Sequence, residues 1–106
     1  MKIAVIAHPE TAQGFLLAGL EAYGASTPEE AKARLAELVQ SKDYALVAVD
    51  GSLLPDPEKA VEKLMRGRDL PVLLSIAGLK EAFQNPDVEA YMRALVRETI
   101  GFDIKL

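Results

Sequence analysis

The sequence predicts an α/β domain built on a small, doubly wound, four-stranded parallel sheet that ends in an amphipathic helix. Two observations point there. Short apolar runs rich in β-branched residues, IAVIA, YALVAV and LPVLLSI, recur along the chain, as strands buried on both faces do. Between them lie segments whose apolar residues repeat at helical spacing. Such an alternation closes through right-handed crossovers, with helices on both faces of the sheet.

Ile3–Ala7, bounded by Pro9, is the first strand. Glu10 to Leu20 follows as a helix carrying Phe15, Leu16, Leu17 and Leu20, ending near Gly19 or Gly24. Glu21–Ala25 (EAYGA) is a poor strand by propensity, placed because the alternation requires one. The next helix is better marked: Thr27 caps it, Pro28 suits its first turn, and Glu30 completes a capping box,. Ala31, Leu35, Leu38 and Val39 then share one face. Tyr44–Val49 is a buried strand. Asp56 and Pro57 open a third helix with Val61, Leu64 and Met65 inward and Gly67 at its end,. Leu70–Ile76 is the last strand, with Pro71 tolerated at its start.

The resulting βαβαβαβ order matches a flavodoxin- or receiver-like sheet with one strand fewer than usual. After Gly78 the pattern changes, so residues 1–78 are expected to form the α/β unit and 79–106 a hinged helical segment. Leu79–Gln84 is a short helical turn, Asn85 and Pro86 break the chain, and Asp87 to about Ile100 is a long helix. Val88, Met92, Leu95, Thr99, Phe102 and Leu106 fall at alternating spacings of four and three, a heptad seam,. Tyr91, Val96 and Ile100 broaden it. This face either packs back on the sheet or docks on a partner, and hinges at Gly78 and at Asn85–Pro86 permit the movement.

Composition narrows the function. The 106 residues are 50% hydrophobic and 26% charged with a net charge of −4, which argues against nucleic-acid binding, since phosphates need clustered Lys and Arg. Basic residues between Lys59 and Lys80 are interleaved with acidic ones. No cysteine is present and His8 is the single histidine, so thiolate and multi-histidine metal sites are excluded within one chain. No apolar stretch reaches the roughly twenty residues of a membrane span, and the amino terminus is too short in apolar residues for a secretory signal. A cytoplasmic protein is expected.

Ligands of such sheets sit beyond the carboxyl ends of the strands, at the switch point. There the sequence places His8 and Glu10 after the first strand, and Asp50, Gly51 and Ser52 after the third. HPETAQGF contains neither GxxxxGK[ST] nor GxGxxG, so no phosphate cradle is expected. Asp50 stands where receiver domains carry their phosphoacceptor, with Ser75 an approximate match to another receiver position. Yet His8 and Pro9 replace the acidic pair that would hold magnesium, and the fifth strand with its lysine is missing. A His8–Asp50 pair with Ser52 as nucleophile is the remaining enzymatic reading, and its checklist is incomplete. No catalytic residue, metal or cofactor is assigned.

IAHPETAQGFLLAGL resembles the amino-terminal signature of the F subunit of the V-type (archaeal and bacterial A/V-type) rotary ATPases. Gly14, Phe15, Leu17, Ala18 and Gly19 match its Gly-Phe-x-Leu-Ala-Gly stretch, and PVLLSIAGLKEAF resembles the family's strand, break and turn before a carboxyl-terminal helix. The resemblance covers the whole chain; His8 departs from the aspartate that many members carry. It implies a non-catalytic component of the central rotor stalk, bound to the coiled coil of the D subunit, in a proton-translocating ATPase or ATP synthase whose ATP chemistry occurs in surrounding catalytic heads. The complex is membrane-bound and this component peripheral to it, without insertion into the bilayer. It implies further that the carboxyl-terminal segment moves between retracted and extended positions, modulates coupling and reaches the catalytic heads. Phe83, Tyr91, Met92, Leu95, Phe102 and Ile104 are then the apolar candidates for the partner surface, flanked by Arg93 and Arg97. Thr11, Gln13 and Gly14 would start a helix in which Gly14 and Gly19 allow close packing.

Overall fold

The computed structural model describes residues 2–76, together with Ala90 and Ala94, which are both helical and exposed. Its elements are β1 (Lys2–Ala7), α1 (Pro9–Leu17), β2 (Glu21–Gly24), α2 (Pro28–Ser41), β3 (Tyr44–Asp50), α3 (Pro57–Ala60), α4 (Glu62–Met65) and β4 (Val72–Ile76). All pairings are parallel, in the order β2-β1-β3-β4. The chain leaves β1 toward β2 on one side and returns to β3 on the other. The switch point therefore lies between the carboxyl ends of β1 and β3, as expected for a doubly wound sheet.

Alternation along the strands divides the core in two. Ala4, Ile6, Val47, Val49 and Leu73 face the layer made by α2, α3 and α4, where Leu35, Val39 and Val61 meet them. Val5, Ala7, Leu46, Ala48, Leu74 and Ile76 belong to the opposite layer, with Ala12 and Phe15 of α1. Pairings such as Ala4↔Val47 and Val5↔Ala48 keep each set on its own face,.

α2 follows its sequence signals closely. Thr27 Oγ1 accepts from the Glu30 N–H at 3.2 Å, while Glu30 Oε2 accepts from the N–H of Ser26 at 2.8 Å. The reciprocal arm of the capping box is thus displaced by one residue. Ala31, Leu35, Leu38 and Val39 are buried as their spacing predicts.

Other elements depart from expectation. α1 stops at Leu17, and Gly19 adopts φ +89° beyond it. Gly19 N–H donates to Leu16 O and Leu20 N–H to Phe15 O, both at 3.0 Å, the pair of bonds that defines a Schellman termination. Gly19 therefore ends the helix, the first of the two ends expected, and does not sit within it as a packing glycine. Phe15 is fully buried, whereas Leu16 and Leu17 face outward. At Gly19 a Cβ would meet nothing within 4 Å, so close packing is not what that glycine serves, whereas at Gly24 a Cβ would lie 3.2 Å from Pro9 Cα.

The third helix is broken. Val61, at φ −123° and ψ 31°, separates α3 from α4. Short helices are marginal on their own, and two hydrogen bonds flank this pair. Asp56 Oδ1 accepts from Lys59 N–H at 3.2 Å, and Arg68 donates to the Val39 carbonyl at 2.9 Å. A β-branched residue tolerates the extended φ between them. Val61 is buried, but Leu64 and Met65 are only partly so. The expected hinges Gly78, Asn85 and Pro86, and the helix from Asp87, lie outside the described residues except for Ala90 and Ala94.

Candidate functional site

The switch point brings together three of the residues anticipated from sequence. His8 precedes α1, whose first residue is Pro9; its side chain makes no cap, leaving the ring available. Asp50 closes β3 and is buried. Its Oδ1 accepts from the Ser52 N–H at 2.9 Å and from the Ser52 hydroxyl at 2.8 Å. The Ser52 oxygen in turn lies 2.9 Å from His8 Nε2. A hydroxyl has one proton, and that proton is directed at Asp50. His8 Nε2 then faces the Ser52 oxygen as the donor.

This order differs from a nucleophile–base–acid relay. There, the histidine sits between serine and carboxylate and accepts the serine proton. Here serine is in the middle, its proton is committed to the carboxylate, and the histidine faces it as a donor. The arrangement braces the β1 and β3 loops against each other and is not the order of that relay. Leu53 and Leu54 N–H groups close onto the Asp50 carbonyl at 2.9 and 3.1 Å, which makes Asp50 a turn residue as well,.

The receiver comparison fares no better. Gly51 N–H donates to Ile76 O at 3.1 Å, and a Cβ at Gly51 would stand 3.0 Å from Ser75 Oγ. Ser75 thus packs against Gly51, one register step below the Asp50↔Ile76 pair. Among the described residues no group of three or more His, Cys, Asp or Glu side chains could hold a metal ion. Nor is any described helix long and apolar enough to cross a membrane.

A second cluster escaped the sequence reading. At the amino ends of β1, β2 and β3, Glu21 Oε1 accepts from Tyr44 OH at 2.7 Å and from Tyr23 OH at 2.9 Å. The two hydroxyls are 3.2 Å apart, and Lys2 Nζ lies 3.8 Å from the same carboxylate oxygen. Lys2 and Arg34 stand over the rings of Tyr44 and Tyr23, each 5.1 Å from the centroid,. Burial alone would raise the Glu21 pKa, but hydrogen bonds from Tyr44 and Tyr23, with the charge of Lys2, outweigh it and hold the carboxyl below its ordinary value. Burial, followed by the contacts with Tyr23 and Glu21, pushes the Tyr44 hydroxyl well above the usual tyrosine range. The only sequence signal was that Glu21 and Tyr23, two apart in a strand, share a face.

The candidate partner residues Phe83, Tyr91, Met92, Arg93, Leu95, Arg97, Phe102 and Ile104 lie outside the described residues. Comparison with known proteins settles the family. Residues 3–96 match the family model for the ATP synthase (F/14-kDa) subunit. The chain belongs to that family. It is 76% identical over 104 residues to the F subunit of the V-type ATP synthase of Thermus thermophilus, covering 98% of this chain and 100% of the relative. The corresponding protein of a second strain of that species is 75% identical over the same coverage. The F subunit of the A-type ATP synthase of Thermococcus gammatolerans is 34% identical over 110 residues, covering 99% of each chain. Membership of this family bears out the resemblance in Gly14–Gly19, and the phosphoacceptor alternative for Asp50 is not favoured.

Proposed function

We propose that this chain is a non-catalytic component of the central rotor stalk of a V-type ATP synthase, where it grips the coiled-coil D subunit. Identity of 76% along the full length of the F subunit of a V-type ATP synthase carries this reading. The switch point supports it, because the Ser52 proton is committed to Asp50 and the crevice offers a brace where a reaction would need an activated group. The chain sits at the cytoplasmic side of the membrane as a peripheral part of the complex, and ATP chemistry takes place in the catalytic heads. Residues 79–106 form the adjustable part, turning at Gly78 and at Asn85–Pro86. Phe83, Tyr91, Met92, Leu95, Phe102 and Ile104, flanked by Arg93 and Arg97, meet the D subunit and, when extended, the catalytic heads, and so modulate coupling.

Gel filtration of the purified chain with the D subunit tests this reading. A stable complex is expected. Removing everything after Gln84 should leave a folded sheet domain and change either complex stability or the coupling of ATP turnover to rotation. Unchanged complex and unchanged turnover would take the carboxyl-terminal segment out of the mechanism.

A further inference from the structure

The first turn of α1 holds donors that the helix itself cannot satisfy. His8 at its amino end makes no side-chain cap, and Pro9 in the first helical position brings no N–H,. The Ala12 N–H is taken by the His8 carbonyl at 2.9 Å. The N–H groups of Glu10 and Thr11 are then the ones a helix start leaves orphaned. Thr11 adds a third donor. It is 5% exposed, and its hydroxyl has no hydrogen-bond partner among the described residues. A threonine in a helix commonly turns its hydroxyl back to a carbonyl of the preceding turn. This one does not, although leaving a buried hydroxyl unpaired is costly. His8, Pro9, Glu10 and Thr11 line a hollow of about 360 Å³.

We propose that this hollow at the amino end of α1 binds a phosphate oxyanion, held by the Glu10 and Thr11 N–H groups and the Thr11 hydroxyl. The three donors belong to adjacent residues of one turn, at the positive end of the helix dipole. An oxyanion brings several lone pairs to one point and can satisfy all three, which no described side chain does for the hydroxyl. HPETAQGF lacks the glycine-rich phosphate loop, whose part is to bring further backbone N–H groups to the anion. Here the buried hydroxyl takes that part. A cation is disfavoured by the same donors, and no described cluster of acidic or histidine side chains could hold one. Asp50 is engaged by Ser52, and His8 turns Nε2 to the same serine. Glu10 also lines the hollow, and its carboxylate opposes an anion at the turn that attracts it. Glu10 therefore sets the affinity, and its neutralisation exposes the site most clearly. The proposal does not depend on the stalk reading.

The test is a titration of the full chain with inorganic phosphate, followed by calorimetry and by thermal unfolding. Phosphate should bind saturably and raise the melting temperature where chloride at equal ionic strength does not. Thr11→Val keeps the side-chain volume and drops the hydroxyl. Without phosphate this variant should unfold at the same or a higher temperature, because an unpaired buried hydroxyl is gone. Its phosphate affinity should nevertheless fall roughly tenfold, and Thr11→Ser should retain the parent affinity. Glu10→Gln should tighten binding by roughly threefold through loss of the like charge. AMP, titrated alongside, separates the sources of the oxyanion: tighter binding than phosphate assigns the site to a nucleotide-borne phosphoryl group, and weaker binding assigns it to the free ion. Absence of saturable binding in both the parent and Glu10→Gln would overturn the proposal. So would equal phosphate affinity in Thr11→Val and the parent. Either result leaves the stalk reading untouched.

Discussion

Glu21 shows how one side chain can hold a weak strand. EAYG has little strand propensity, and β2 is four residues long at the edge of the sheet,. Its carboxylate nonetheless accepts from hydroxyls on β2 and β3 and attracts the ammonium of Lys2 at the start of β1, so three strands are tied at one oxygen. Two phenolic protons serve three short oxygen contacts, and this sharing favours the ionised acceptor. Replacing Glu21 with Gln should cost about 1–2 kcal/mol at neutral pH in a denaturant titration. The pH dependence has a definite sign. Because the folded-state pKa lies below the ordinary value of 4.5, the contribution is present above that value and fades as pH falls through the folded one. The unfolding curves of the parent and Glu21→Gln should therefore converge in acid; a constant gap down to strongly acidic pH would place the stabilisation elsewhere than in the carboxylate.

Helix ends account for much of what the elements do. α1 ends in glycine at positive φ, and so does the turn after α4, where Gly67 has φ +73°. α2 ends differently: Lys42 takes φ 61° and ψ 17° as its C-cap. An L-residue pays roughly 1–2 kcal/mol for that conformation and glycine does not. Lys42→Gly should raise stability by about 1 kcal/mol, less the extra freedom of glycine in the unfolded chain. A melting temperature that falls would mean the lysine makes a compensating contact. The caps were also the most legible features of the sequence. Thr27, Pro28, Glu30, Asp56 and Gly67 act within a few residues of where they stand, so their roles follow from local order alone. The break at Val61 was not legible, and neither was the bond from Arg68 to the Val39 carbonyl, 29 positions away in the chain.

Among the described residues, the sheet separates two clusters of core side chains. One is covered by α2, α3 and α4; on the other, α1 covers β1 and β2 chiefly through Phe15, a fully buried side chain of the first rank in size. Phe15→Ala should cost about 3–5 kcal/mol, a large part of the roughly 5–15 kcal/mol that holds a small domain together. Leu17→Ala, on the same helix, should shift the urea midpoint hardly at all. Comparable losses at both positions would show that Leu17 is structural and not a solvent-facing side chain. The strand runs, the parallel class, the helix caps and the family resemblance in Gly14–Gly19 were all determined by sequence, since periodicity and capping are written in neighbouring residues. Tertiary structure alone decided which leucines of α1 stay outside, where the third helix breaks, and that Ser52 stands between His8 and Asp50. Those outcomes depend on how distant segments pack, and a linear pattern does not carry the distances between them.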